Sequence, residues 1–137
     1  MPYVTATRRL TFNAAHRVHN PALSDAENTR LFGPCNHPNW HGHNYVLEVS
    51  VSGEIDPVSG YVLDLGLLKR RVEESLISQL DHRNLNLDVP LLAGTNPTSE
   101  NIVVMCWGVI APLVAPATLT RLRLWETENN QVEYDGR

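Results

Sequence analysis

HGHNYVLEVSVS, residues 41 to 52, decides the fold. His41, His43, Tyr45, Leu47, Val49 and Val51 share one parity, and Asn44, Glu48, Ser50 and Ser52 the other. A period of two marks a strand with one buried face. The strand therefore opens with two imidazoles side by side on its apolar face.

Working outward, residues 4 to 16 alternate too. Val4, Ala6, Leu10, Phe12 and Ala14 fall on one parity, and Thr5, Thr7, Arg9, Thr11 and Asn13 on the other. Arg8 breaks the pattern, and His16 continues the apolar parity at the strand's end. Residues 19 to 40 contain Pro21, Gly33, Pro34 and Pro38, which predicts a long loop with a helical turn near Asp25 to Arg30. Loops of this length in a compact domain are often functional.

Beyond strand two, GEIDPVSGYV (53–62) reads as a turn-rich connection. Asp64 caps a predicted helix to about Leu80, with Leu65, Leu68, Val72 and Leu76 as its apolar stripe and Lys69, Arg70, Glu73 and Glu74 as its wet side. A second helix starts near Pro97 and Thr98, carries Ile102, Val103, Met105, Trp107 and Ile110, and ends before Pro112 or Pro116. Residues 118–126 and 131–134 form a hairpin turning at Asn129 and Asn130. The order ββααββ predicts one α+β domain over residues 1–137: an antiparallel sheet with two helices on one face. Apolar residues on the other face or at the edges would call for oligomerisation.

The chain has 137 residues, 42% hydrophobic and 19% charged, with a net charge of −4. These values fit a globular domain and argue against a dedicated nucleic-acid binder. A small anionic substrate stays open, with Arg8, Arg9, Lys69, Arg70 and Arg71 as candidate cations. The N-terminal stretch lacks a signal-peptide core, and no apolar run reaches membrane-span length. A cytoplasmic chain with reduced thiols is the simplest reading of two cysteines, although a Cys35–Cys106 disulfide stays open.

Four groups can carry chemistry. His41 and His43 point to one face, and His16 ends the neighbouring apolar parity. If the two strands are neighbours, three imidazoles converge, and three neutral histidines with an open fourth position describe a catalytic zinc site. The alternative is two surface histidines and a capped core histidine. Cys35 lies six residues before His41, near enough for its loop to fold over a metal. With an ordinary pKa near ~8.5 it is a weak base unless a metal or cation activates it. Otherwise it is a loop thiol, as His19 and His37 are loop histidines and Cys106 is a helix-core residue.

Asp81 and His82 form a potential acid/base pair or an ordinary helix C-cap. Glu100 falls in a first helical turn, where negative charge is favoured anyway. Glu126 shares the parity of Leu122 and Leu124, so it faces inward and needs partners. A ligand with paired N–H donors, such as a guanidine-like heterocycle edge, would serve.

FNAAHR (12–17), CNHPNWHGHNY (35–45), GEIDPVSGYV (53–62), LDHRNLNLDVP (80–90), PTSEN (97–101) and WETENN (125–130) occur in an order and spacing that resemble the 6-pyruvoyl-tetrahydropterin synthase / 6-carboxy-tetrahydropterin synthase family over nearly the whole chain. The resemblance implies a T-fold whose subunits assemble into β-barrels, as a homohexamer of two trimers with active sites between subunits. It implies zinc, one per subunit, on His16, His41 and His43, and Cys35 as general base. Asp81 and His82 would be a second proton-transfer pair. Glu126 would anchor the pterin in a pocket lined by Thr98, Ser99 and Glu100. The implied reaction converts 7,8-dihydroneopterin triphosphate to 6-pyruvoyl-tetrahydropterin and triphosphate, with Mg2+ accompanying the triphosphate and no redox cofactor.

Some positions depart from the family's pattern. His37 stands where Asn is frequent, Trp40 where Gly is frequent, and Ser99 where Thr is common. PTSE is also similar to the 6-carboxy branch of queuosine synthesis, which uses the same substrate. The five residues between Cys35 and His41 favour the pyruvoyl branch, and Cys35 itself speaks against a variant with Glu at that position. An inactive pterin- or zinc-binding module is the remaining alternative.

Overall fold

A computed structural model describes residues 2–137. Strand β1 (Tyr3–His16) pairs antiparallel with β2 (His41–Glu54) along their full length, from Tyr3↔Glu54 to His16↔His41. β2 pairs with β4 (Thr118–Thr127), and β4 with β5 (Asn130–Tyr134), again antiparallel. A two-residue strand, β3 (Arg83–Asn84), adds to the free edge of β1 in parallel, giving the order β3-β1-β2-β4-β5. The sheet is thus mixed, not purely antiparallel as the sequence predicts. Arg83–Asn84 carries no alternation, and its pairing with Ala14 and Ala15 makes it a strand.

Each strand's alternation translates into burial. Leu10, Phe12 and Ala14 of β1, Tyr45, Leu47, Val49 and Val51 of β2, and Leu119, Leu122 and Leu124 of β4 all enter the core. Leu119 and Leu122 differ in parity, and a bulge reconciles them. Ser50 pairs with Arg121 and Val51 with Leu119, so Thr120 is the extra residue. A second irregularity pairs Trp125 with Gln131 and Thr127 with Asn130, leaving Glu126 unpaired in the β4–β5 ladder. Bulges of this kind re-aim side chains.

Helix α1 (Asp25–Phe32) occupies the long loop. The Asp64 carboxylate accepts from the Gly66 and Leu67 N–H groups and starts α2 (Leu65–Val72). The rod continues through a π-helical turn at Glu73–Ile77 into α3 (Ser78–Leu80). Leu68, Val72, Leu76 and Leu80, four residues apart, form its buried ridge. The Thr98 hydroxyl accepts from Asn101 N–H and caps α4 (Ser99–Ile110), which buries Ile102, Val103, Cys106 and Ile110 against the same core. Complete burial of a leucine side chain is worth about 1.5–3 kcal/mol, so these two ridges hold the helices on one face. The opposite face is polar: hydroxyls of Thr5 and Ser52 meet at 2.6 Å and those of Thr7 and Ser50 at 2.7 Å. Cys35 and Cys106 are both free thiols, and no described helix is long and apolar enough to cross a membrane.

Candidate active site

The β1–β2 register fixes the centre of the site. His16 faces His41 across the ladder, and His43 faces Ala14, so three imidazoles collect at one end of the sheet. Their ring centroids lie 4.5 to 5.1 Å apart in edge-on arrangements. One nitrogen from each ring can be chosen so that all three lie within 4.8 Å of one another.

The His16 Nδ1–H donates to the Pro97 carbonyl at 2.7 Å, which leaves Nε2 as the lone-pair nitrogen. His16 Nε2, His43 Nε2 and both nitrogens of His41 are buried without a hydrogen-bond partner among the described residues. Buried polar atoms ordinarily have partners, so this cluster has the donor set a metal ion requires. Burial, against the opposing effect of the Pro97 contact, holds the His16 pKa below its usual value. Burial and then the neighbouring His43 do the same for His41. Neutral imidazole is the form that ligates, and these three histidines suit zinc.

Glu126 reaches the same cluster by continuing the inward parity of Leu122 and Leu124 at the end of β4. Its Oε1 lies 3.7 Å from His43 Nε2 and its Oε2 3.9 Å from His16 Nε2. Ser99 Oγ, at the start of α4, donates to Oε2 at 2.8 Å and holds the carboxylate. His43 and Glu126 also line an open cleft of about 630 Å³ together with Asn44, Glu48, Trp125 and Thr127. In that cleft the Trp125 indole N–H donates to Glu48 at 2.6 Å.

Cys35 is half-buried in a 3₁₀ turn, Gly33–Asn36, and its carbonyl accepts from Val18 N–H at 2.9 Å. Burial, then the nearby Glu126 and Cys35, push the Tyr45 phenol well above its usual range. The Tyr45 OH lies 3.4 Å from His16 Nδ1.

The remaining candidates divide. Asp81 and His82 touch, at 2.9 Å, and Asp81 accepts from Asn13 N–H at 2.8 Å. That contact, and then His82, hold the Asp81 carboxyl below the usual carboxylate range. The pair stands by β3, on the opposite side of β1 from His41 and His43, and the described chain does not bring it to the imidazoles. Thr98 acts as a cap, Ser99 reaches Glu126, and Glu100 is exposed. Tyr45, Trp125 and the Pro97 carbonyl were not predicted as site groups. Tyr45 and Trp125 read as ordinary strand aromatics, and a main-chain acceptor leaves no mark in a sequence.

A family model described as 6-pyruvoyl tetrahydropterin synthase matches residues 5–137. The chain belongs to that family. It is 45% identical over 130 residues to the 6-pyruvoyl tetrahydrobiopterin synthase of Homo sapiens, covering 95% of this chain and 90% of that one. The solved 6-pyruvoyl tetrahydropterin synthase of Caenorhabditis elegans is 43% identical, superposes with a TM-score of 0.93, and covers 100% of this chain and 98% of its own. The chain is also 42% identical over 128 residues to a dihydroneopterin monophosphate aldolase of Pyrococcus furiosus, covering 93% of each. The ββααββ core of the T-fold is the architecture described above.

Proposed function

We propose that this protein is a lyase that converts 7,8-dihydroneopterin triphosphate to 6-pyruvoyl-tetrahydropterin and triphosphate, a step of tetrahydrobiopterin-type synthesis. The observation that carries the reading is the triad of histidine nitrogens within 4.8 Å of one another and unpartnered. Identity to 6-pyruvoyl relatives along the whole chain supports the choice of substrate.

His16, His41 and His43 would hold zinc. When bound, the ion would acidify the carbon beside a coordinated side-chain hydroxyl. Every unit of pKa gained at that carbon is worth about 1.4 kcal/mol. Cys35, on the loop adjoining the ligand strand, takes the proton as thiolate. Glu126 accepts the amino and ring N–H groups of the pterin and fixes its orientation, with Thr98, Ser99 and Glu100 lining that end. Asp81 and His82 return protons as triphosphate leaves.

The exposure of His82 (81%) and Asp81 (40%) beside a free sheet edge supports a pair that serves a site on a neighbouring subunit. We therefore read the assembly as a homohexamer of two trimeric barrels, one T-fold domain per chain, working in the cytoplasm. Mg2+ would accompany the triphosphate of the substrate.

Product identification tests the reading. Purified, zinc-loaded protein incubated with 7,8-dihydroneopterin triphosphate should yield a 6-pyruvoyl product and triphosphate by mass spectrometry. A 6-carboxy product with acetaldehyde would move it to the queuosine branch. No turnover would leave a binding module.

A further inference from the structure

We infer that Asn36 is a positioning residue for Cys35, locking the turn that carries the thiol onto the strap that leaves His16; the inference rests on the proposed role of Cys35. Residues 17–20 depart from the sheet directly after His16. Asparagine side chains hold most of their main-chain groups. Asn86 takes both sides of Arg17, accepting from its N–H at 2.8 Å and donating to its carbonyl at 2.9 Å. Asn96 accepts from His19 N–H at 3.1 Å, and Asn28 accepts from Asn20 N–H at 2.8 Å.

Asn36 differs from these in lying beside Cys35. It is 6% exposed, and its amide nitrogen gives both hydrogens away, to the Val18 carbonyl at 2.8 Å and to His19 Nδ1 at 2.9 Å. Its carbonyl accepts from Arg17 Nε at 2.9 Å, and the Cys35 carbonyl accepts from Val18 N–H at 2.9 Å. The main chain directly following the thiol-bearing Cα is therefore fixed, through the Cys35 and Asn36 carbonyls, to residues two and one positions past His16. A four-residue 3₁₀ turn has weak hydrogen-bond geometry of its own, so the strap supplies the rigidity. Aspartate has the same shape but no hydrogen to give. In the Asn36→Asp variant the Val18 carbonyl would lose its donor.

The test compares Asn36→Asp, Cys35→Ala and the double variant with the unaltered zinc-loaded protein. Bound zinc, kcat, KM and the rate of iodoacetamide labelling at Cys35 would be read. Labelling reports Cys35 because Cys106 is fully buried, with its thiol pushed up to about 12 by that burial. Small misplacements of a reacting group cost up to about 100-fold. Asn36→Asp should keep zinc and KM, lose roughly 10- to 100-fold in kcat, and change the labelling rate. In the Cys35→Ala background it should cost nothing further, because residues acting as a unit are not additive.

Unchanged kcat in Asn36→Asp, with turnover strongly reduced but measurable in Cys35→Ala, would overturn the inference and leave the role of Cys35 standing. Unchanged turnover in Cys35→Ala would overturn both. If Asn36→Asp fails to fold or to hold zinc, His19→Ala decides. It removes one acceptor of Asn36 at a half-buried position, and unchanged kcat and labelling there would also overturn the inference.

Discussion

His16 and Pro97 are joined by a 2.7 Å hydrogen bond across 81 residues of chain, from the imidazole Nδ1–H to the proline carbonyl. The bond sets the tautomer of His16 and aims Nε2 at the other two imidazoles. It also ties the end of β1 to the residue before the α4 cap. An outer partner of this kind orients a metal-ligating histidine.

The Tyr45 phenol lies 3.4 Å from the same nitrogen, a longer and competing contact. The Pro97 bond wins on distance, so Tyr45 acts chiefly by packing its ring on Phe12, at 4.8 Å between centroids. Tyr45→Phe should therefore retain zinc and change stability by less than about 1.5 kcal/mol, the net worth of a typical hydrogen bond. Zinc analysis and denaturant unfolding check this. Loss of zinc in Tyr45→Phe would make the phenol the controlling partner of His16.

Metal removal should be visible as lost stability. On the proposed zinc site, removing the ion would leave the His16, His41 and His43 nitrogens without a partner. An ion that binds only the folded chain contributes about 2.7 kcal/mol at one hundred times Kd. For a chain of this size that corresponds to roughly 5–15 °C in Tm. Chelation should lower Tm by that order, zinc should restore it, and His41→Ala should respond to neither treatment. Equal Tm values with and without chelator would argue that the three histidines hold no ion.

Much of this was legible in the sequence, and the failures have physical causes. The strands at residues 4–16 and 41–52 announce themselves because one face is buried and the other wet. The 65–80 helix shows its four-residue ridge but not its π turn, since the ridge survives the extra residue. β3 is two residues long and exists through pairing with Ala14 and Ala15 alone. Glu126 was legible from its parity with Leu122 and Leu124, but the irregularity that leaves it unpaired against β5 depends on the register between two strands, which neither encodes alone. The same holds for the asparagines of the 17–20 strap, which read as loop polarity until their partners are known.

Acid stability should register Asp81. Its carboxyl is held below its ordinary value, first by Asn13 N–H and then by His82. The unfolded chain therefore binds this proton more readily than the folded one. The stabilisation is complete above the ordinary value of 3.8 and is lost as pH falls through the lower, folded value. With the side chain 40% exposed, solvent screening limits the effect to less than about 1 kcal/mol. Unfolding midpoints measured between pH 2 and pH 6 should fall less steeply below about pH 4 for Asp81→Asn than for the unaltered protein. Parallel curves would show that Asp81 titrates alike in both states.

Ser99 gives the sharpest test of how Glu126 is held. Its hydroxyl donates to Oε2 at 2.8 Å, leaving Oε1 toward His43 and the cleft. Thr98 supplies the helix cap, so removing the Ser99 hydroxyl leaves the start of α4 intact. A hydrogen bond to a charged group is worth about 1.5–3 kcal/mol. Ser99→Ala should therefore lower kcat/KM by roughly 10- to 100-fold. If Glu126 anchors the pterin as proposed, the loss should fall mainly on KM, because a loosened carboxylate would bind it less well in ground and transition states alike. Ser99→Thr keeps a γ-hydroxyl at the same place and should stay within about threefold of the unaltered protein. Steady-state kinetics on the three proteins decide. Unchanged KM in Ser99→Ala would mean that Glu126 is held by the histidine cluster alone, and equal losses in Ser99→Ala and Ser99→Thr would point to packing at the head of α4 instead of the hydrogen bond.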